Sequence, residues 1–191
     1  MRYLAAAAIL AALLFPTNAV RAEAEKIIIF DYYDIEGQTV DELRDQMNTH
    51  GVVWTNGNTY DAFTAWHVKW NFTYRLTDGG CTIRSVDTTL NVELRLPRWK
   101  NYVDGPADLR KKWNVYMRLL RKHENGHKDI AIKAATEIEK SIAELEPAAT
   151  CEELADTANE LGRRILSKHA DKEKEYDAQT NFGETQGAVF P

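Results

Sequence analysis

The sequence has two cysteines in 191 residues, Cys81 and Cys151, and neither sits in a Cys-x-x-Cys pair. That argues against a reactive redox centre. Runs of lysine and arginine that would make a phosphate-binding stripe are also missing. The 24 lysines and arginines are scattered against 29 acidic residues, for a net charge of −5. No basic stripe is available to neutralise phosphates, so nucleic acid is not an expected partner. Beyond Phe15 no run is apolar enough to span a bilayer, so no membrane anchor is expected in the mature chain. Internal repeats and low-complexity segments are absent from the rest of the chain. What remains, 44% hydrophobic and 28% charged, is the composition of a single globular domain. Its length suffices to bury a core without help from metal or disulfide.

The first residues, MRYLAAAAILAALLFPTNAVRAEAE, combine an early Arg2, an apolar run from Leu4 to Phe15 and small residues around Ala19 and Ala22. This is the pattern of a secretory signal peptide over residues 1–22, leaving 23–191 as one mature domain. Export implies a periplasmic or secreted location. In such an oxidising compartment the two distant cysteines are expected to form a Cys81–Cys151 disulfide.

The mature chain reads as strands followed by helices. KIIIFDYYDI (26–35) is a β-branched and aromatic run that predicts a strand. TVDELRDQMNTHG (39–51) opens on a Thr39–Glu42 capping box and closes on Gly51, a short helix. From 65 to 76, Trp66, Val68, Trp70, Phe72, Tyr74 and Leu76 alternate with polar residues, predicting a strand with one buried aromatic face. TDGG (77–80) is a hairpin turn, and the returning strand keeps its alternation through Leu90, Val92, Leu94 and Leu96. From Ala107 the period becomes helical. Trp113, Tyr116, Leu120, His123, His127, Ile130, Ala134, Ile138 and Ile142 share one face. Pro147 ends that helix, and Thr150 caps another whose buried stripe runs through Leu154, Ala158, Leu161, Ile165, His169 and Tyr176. The expected fold is α+β: a small antiparallel sheet with a short helix, packed on a long antiparallel helical hairpin.

His123, Glu124 and His127 form a His-Glu-x-x-His motif, HENGH, on the first long helix. Four residues apart, the two imidazoles lie about 6 Å apart along the axis and face the same way. That suits two ligands of a tetrahedral Zn2+, with Glu124 as the base that activates water at the metal. The pattern arises by accident in roughly one chain in a hundred of this size. Two features favour ligation over a charged surface helix. Both histidines fall on the apolar face, where an unpaired ring is costly. Gly126 sits mid-helix at a cost of about 1 kcal/mol relative to alanine, so something is expected to approach closely there.

If the two long helices pack as a symmetric hairpin, His169 comes level with His127 and Glu173 with His123. His169 is the expected third ligand, with Glu173 the alternative. Tyr176, two turns past His169, could donate to a developing oxyanion or could simply be a packed aromatic. His67, on the polar side of its strand, and His50, at a helix end, are given no site role.

Laid out in order, YYDIEGQTVDELRDQM, YDAFTAWHVKWNFTY, CTIRSVDTTLNVELRLPRW, HENGH and YDAQTNFGETQGAVFP resemble a bacterial family of predicted secreted zinc-dependent proteases, a domain of unknown function (DUF922-like). The resemblance covers nearly all of the mature chain. It implies a zincin-like metallopeptidase acting on a peptide or protein substrate, cell-wall peptides included. The chain departs from the family's tail pattern in carrying Phe182 where histidine is common, between the matching Tyr176, Asp177, Thr180 and Gly183. If the tail histidine is the third ligand, Phe182 puts catalysis in doubt. If His169 is, the change is peripheral and Asp177 is a supporting partner of a ligand imidazole. The rival reading is a non-catalytic, metal-stabilised binding protein of the cell envelope.

Overall fold

The structure is a computed structural model that describes residues 24–54 and 57–191. The expected signal peptide, residues 1–22, lies outside the described residues. Strand β1 (Glu25–Ile35) leads into helix α1 (Val40–His50), a two-residue pair β2 (Val52–Val53) and β3 (Thr59–Tyr60), and the long strands β4 (Phe63–Thr77) and β5 (Gly80–Trp99). Helices α2 (Ala107–Ala143) and α3 (Cys151–Thr180) complete the fold. Among the described residues, no helix is long and apolar enough to cross a membrane.

The helix ends follow local chemistry. Thr39 accepts from the Glu42 amide while Glu42 reaches back to the Thr39 amide, and Thr150 and Glu153 do the same for α3. Each box satisfies amides that the first turn leaves without partners.

The sheet corrects one expectation. It is mixed, in the order β1-β5-β4, with β4 antiparallel and β1 parallel to the central β5. Alternation shows which face of a strand is buried but not the direction of its neighbour. The parallel register sets Asp31 beside Arg95 and Asp34 beside Arg98, pairs that close to 3.0 and 2.6 Å. These exposed bridges contribute little energy, yet they suit this register. A second correction concerns β4, whose aromatic face is covered only in part. Val68 is buried and Trp66, Trp70 and Phe72 half-buried, but Tyr74 and Leu76 are exposed beyond a register shift at Thr73/Tyr74.

Two cores flank the middle of α2. One gathers Leu43, Met47, Trp99, Trp113, Tyr116, Leu120 and the tail residue Phe190. The other packs Val68, Leu90, Val92 and Leu94 of the sheet under Ala131, Ala135 and Ile138 of α2 and Ala158 and Ile165 of α3. His123, Glu124 and His127 occupy the helix between Leu120 and Ala131, so rigid packing on both sides holds them in place.

The α2–α3 connection is pinned to the sheet. Cys81 and Ala148 exchange backbone hydrogen bonds of 2.8 and 3.0 Å, and Cys81 is disulfide-bonded to Cys151. Gly80, at φ +112°, allows this approach, since a side chain there would collide with the Ala148 carbonyl. The helical hairpin is asymmetric: residues of α3 meet α2 one to two turns later than a symmetric hairpin would place them.

Candidate metal centre

That offset decides which side chains meet the two histidines. His169 is 1% exposed, and its Nε2 lies 2.9 Å from Glu137, ten residues past His127 along α2. The structure does not bring His169 to His123 and His127. Glu173 and Asp177, one and two turns further along α3, occupy that place instead.

Asp177 Oδ1 lies 3.4 Å from His123 Nε2 and 3.1 Å from His127 Nε2, and the two Nε2 atoms are 3.3 Å apart. These three residues form a group whose donor atoms converge closely enough to hold a metal ion. Both imidazoles are buried, while the Asp177 side chain is 29% exposed, so the group reaches solvent on its aspartate side. Glu173 is not in the group. Its Oε2 lies 2.6 Å from His127 Nδ1, behind the ring, where it fixes the imidazole's orientation. Glu173, the alternative third ligand of the sequence reading, thus stands behind His127, and Asp177, expected as a supporting partner, stands in the group.

The electrostatics follow from this crowding. Burial disfavours a charged His127, but hydrogen bonds and charge from Asp177 and Glu173 outweigh it and push its pKa up to about 10. Partial burial works against the Asp177 carboxylate, yet hydrogen bonds from His123 and His127 and their charge bring it down to about 2. Two imidazoles against two carboxylates make a site that attracts positive charge, whether a proton or a metal ion.

Glu124 points from α2 to the sheet. It is 4% exposed, and the hydroxyl of Thr64 on β4 donates to its Oε2 at 2.6 Å. Burial raises its pKa, opposed by the Thr64 hydrogen bond and the two imidazoles. Thr64 is a site residue that sequence reasoning missed. Its signal was present: it falls on the inward face of β4, two residues before Trp66, as a buried polar side chain among aromatics.

Tyr176 stacks on His123 at 5.1 Å and meets His127 edge-on at 5.0 Å. Its hydroxyl donates to the His123 carbonyl at 3.2 Å and also meets Gln186. In this arrangement Tyr176 positions the histidines. Gly126 is required beneath it, because a Cβ there would run into the Tyr176 ring. The tail then turns back through Asn181, Phe182 and Gly183, all at positive φ, and brings Gly183 against the His123 ring. The Phe182 ring is half exposed and packs on Tyr60. With Asp177 completing the group of three, the departure at Phe182 removes none of its members. His50 and His67 are exposed and lie outside the group.

A family model described as "Bacterial protein of unknown function (DUF922)" matches residues 30–184, a span that includes His123, Glu124, His127, Glu173 and Asp177. The chain belongs to the DUF922 family. That description assigns no activity to DUF922 proteins, so chemistry has to be argued from the side chains. No curated protein and no solved structure matches the chain.

Proposed function

We propose that this DUF922 protein is a zinc-dependent hydrolase of the periplasm or cell exterior, cutting peptide bonds. The observation that carries the reading is the convergence of His123, His127 and Asp177 beside a buried carboxylate, Glu124, on the helix that bears the two histidines. Tetrahedral zinc with bonds of about 2.0–2.1 Å places its donor atoms about 3.3 Å apart. The three separations of 3.1 to 3.4 Å fit that edge, and two imidazoles with one carboxylate are a donor set zinc favours. Bound there, zinc supplies a Lewis acid that polarises a carbonyl and lowers the pKa of water to near 7.

The protein's own residues then divide the work. Glu124 accepts the proton of the attacking water and returns it to the leaving amine, a role that its burial-raised pKa suits. Thr64 holds the Glu124 carboxylate in one orientation. Glu173 orients His127, and Tyr176 keeps both imidazoles in register. Among the described residues no strand pairs with the outer edge of β4, the strand that carries Thr64. An extended peptide added to that edge would run past Glu124. The amide bonds of cell-wall peptides fall within the same class. The Cys81–Cys151 disulfide supports an oxidising compartment.

A second reading, a metal-stapled envelope binding protein without turnover, has one observation in its favour. A cavity of about 980 Å³ lies along α2 beside Arg118, Arg121 and Asn125, across the helix from the imidazoles. Replacing Glu124 with glutamine separates the two readings. The zinc-loaded wild type should hydrolyse a fluorogenic peptide library, and the variant should keep its zinc while losing roughly a hundredfold or more in rate. Equal rates in the two proteins would remove the catalytic reading and leave the binding one.

A further inference from the structure

The apolar run Ile27–Phe30 does not enter either core. Its four side chains are 39–54% exposed, and among the described residues no strand pairs with the outer edge of β1. Edge strands of stable monomers are usually blunted by lysine, proline or a bulge, and this stretch has none of these. A bare row of isoleucines beside unpaired backbone groups is a template for another chain.

A groove runs between that strand and α2. Two adjoining cavities, about 980 and 280 Å³, share Tyr32, Arg121 and Asn125 and so form one trough. Register places Ile28, Phe30 and Tyr32 on its side of the sheet, level with the buried Val92, Leu94 and Leu96, whereas Ile27 and Ile29 face the opposite way. The deeper end is floored by Trp99, Trp113 and Met117. Along the α2 wall stand Arg118, Arg121 and Lys122, exposed and without a partner among the described residues, while Asp129 is the one acidic residue of the lining. In a chain of net charge −5, this is a concentration of unneutralised positive charge beside an open strand edge.

We propose that β1 and this trough bind an extended, acidic segment of a partner polypeptide by strand addition. Backbone pairing to β1 supplies affinity, and alternate side chains supply specificity. Carboxylates at every second position face α2 and meet Arg118 and Arg121. Aliphatic residues at the intervening positions extend the Ile27–Ile29 face on the other side of the sheet. A second copy of this chain fits the charge poorly. Its own β1 would lay Lys26, Ile28, Phe30 and Tyr32 along the arginines, with no carboxylate before Asp34, which Arg98 already holds at 2.6 Å. The proposal does not depend on the hydrolase reading, since the trough lies across α2 from the metal group.

The probes are two fluorescein-labelled octapeptides, one alternating glutamate with valine and one alternating lysine with valine, each about 27 Å long when extended. Fluorescence anisotropy with the zinc-loaded mature chain should show saturable binding of the acidic peptide alone, weakening as salt is raised. Amide shifts should move on β1. The double charge reversal Arg118→Glu and Arg121→Glu alters exposed side chains only. It should weaken the acidic peptide at least tenfold, take up the lysine peptide instead, and leave zinc content and hydrolysis unchanged. The proposal is overturned if the wild type binds neither peptide or both equally, or if the reversed variant still prefers the acidic one. It is overturned too if sedimentation shows dimers whose contact shifts fall on β1, which would make a second copy the occupant.

Discussion

Glu173 Oε2 lies 2.6 Å from His127 Nδ1, on the side of the ring opposite the nitrogen that faces Asp177. A carboxylate in that position holds one tautomer and raises the imidazole's basicity, which strengthens it as a ligand. Glu173→Gln keeps the size and removes the charge. Chelator competition should show the variant binding zinc roughly 10–100-fold more weakly. Unchanged affinity would mean that the Glu173–His127 contact has no part in metal binding.

The ligand set makes its own prediction. Single alanine variants at His123, His127 and Asp177 should each lose most of the zinc found in the wild type by elemental analysis. His169→Ala should keep its zinc, because His169 Nε2 is engaged with Glu137. That variant should nonetheless lose stability, by about 1–3 kcal/mol, since it removes a buried, hydrogen-bonded side chain. Zinc lost from His169→Ala but retained in Asp177→Ala would reverse the assignment.

Gly126 lies under the face of Tyr176, so a methyl group there must displace a ring that contacts both imidazoles. Gly126→Ala should therefore destabilise the protein by about 1–3 kcal/mol, despite alanine's better helix propensity, and weaken zinc binding as well. Combining it with Tyr176→Ala should cost less than the sum of the two single changes. Strict additivity in a double-mutant cycle would show that the collision is relieved without cost.

Features that depend on neighbours in sequence were legible before the structure. The capping boxes at Thr39 and Thr150, the alternation of Leu90 to Leu96 and the placement of both imidazoles on one face all rest on residues within a few positions of one another. The mid-helix Gly126 signalled a close approach, but not that Tyr176 of α3 makes it. The direction of β1 was not legible, because a parallel pair is set by the crossover and by partners such as Arg95 and Arg98 more than 60 residues away. Nor was the ligand register on α3. A symmetric hairpin pairs His127 with His169, but the α2–α3 connection, held to the sheet through Cys81, leaves α3 offset, with Asp177 at His127 instead. The cysteines were visible, whereas the geometry their bridge imposes on a helix end was not. Thr64 was passed over because a threonine on a strand carries no motif, although its place in the alternation with Trp66 and Val68 put it on the inward face; its position opposite Glu124 gives it the role.

The His169 contact also sets a pH dependence that can be measured away from the metal. Lys168 and His169 both hydrogen-bond Glu137, and together they lower its pKa below the ordinary 4.5. A carboxylate whose pKa is depressed on folding stabilises the native state above its unfolded pKa. That contribution is lost as pH falls through the lower, folded value. At pH 7 Glu137→Gln should melt below the wild type. The gap should narrow as the medium is acidified below about pH 4.5, since the wild-type carboxyl becomes neutral as well. Because Glu137 is part-exposed, the difference should be modest and should shrink with added salt where Lys168 contributes to it. Thermal melts of both proteins from pH 7 down to pH 3 test this directly. A gap that stays constant across that range would mean that Glu137 acts by packing and neutral hydrogen bonding alone, with its charge making no contribution.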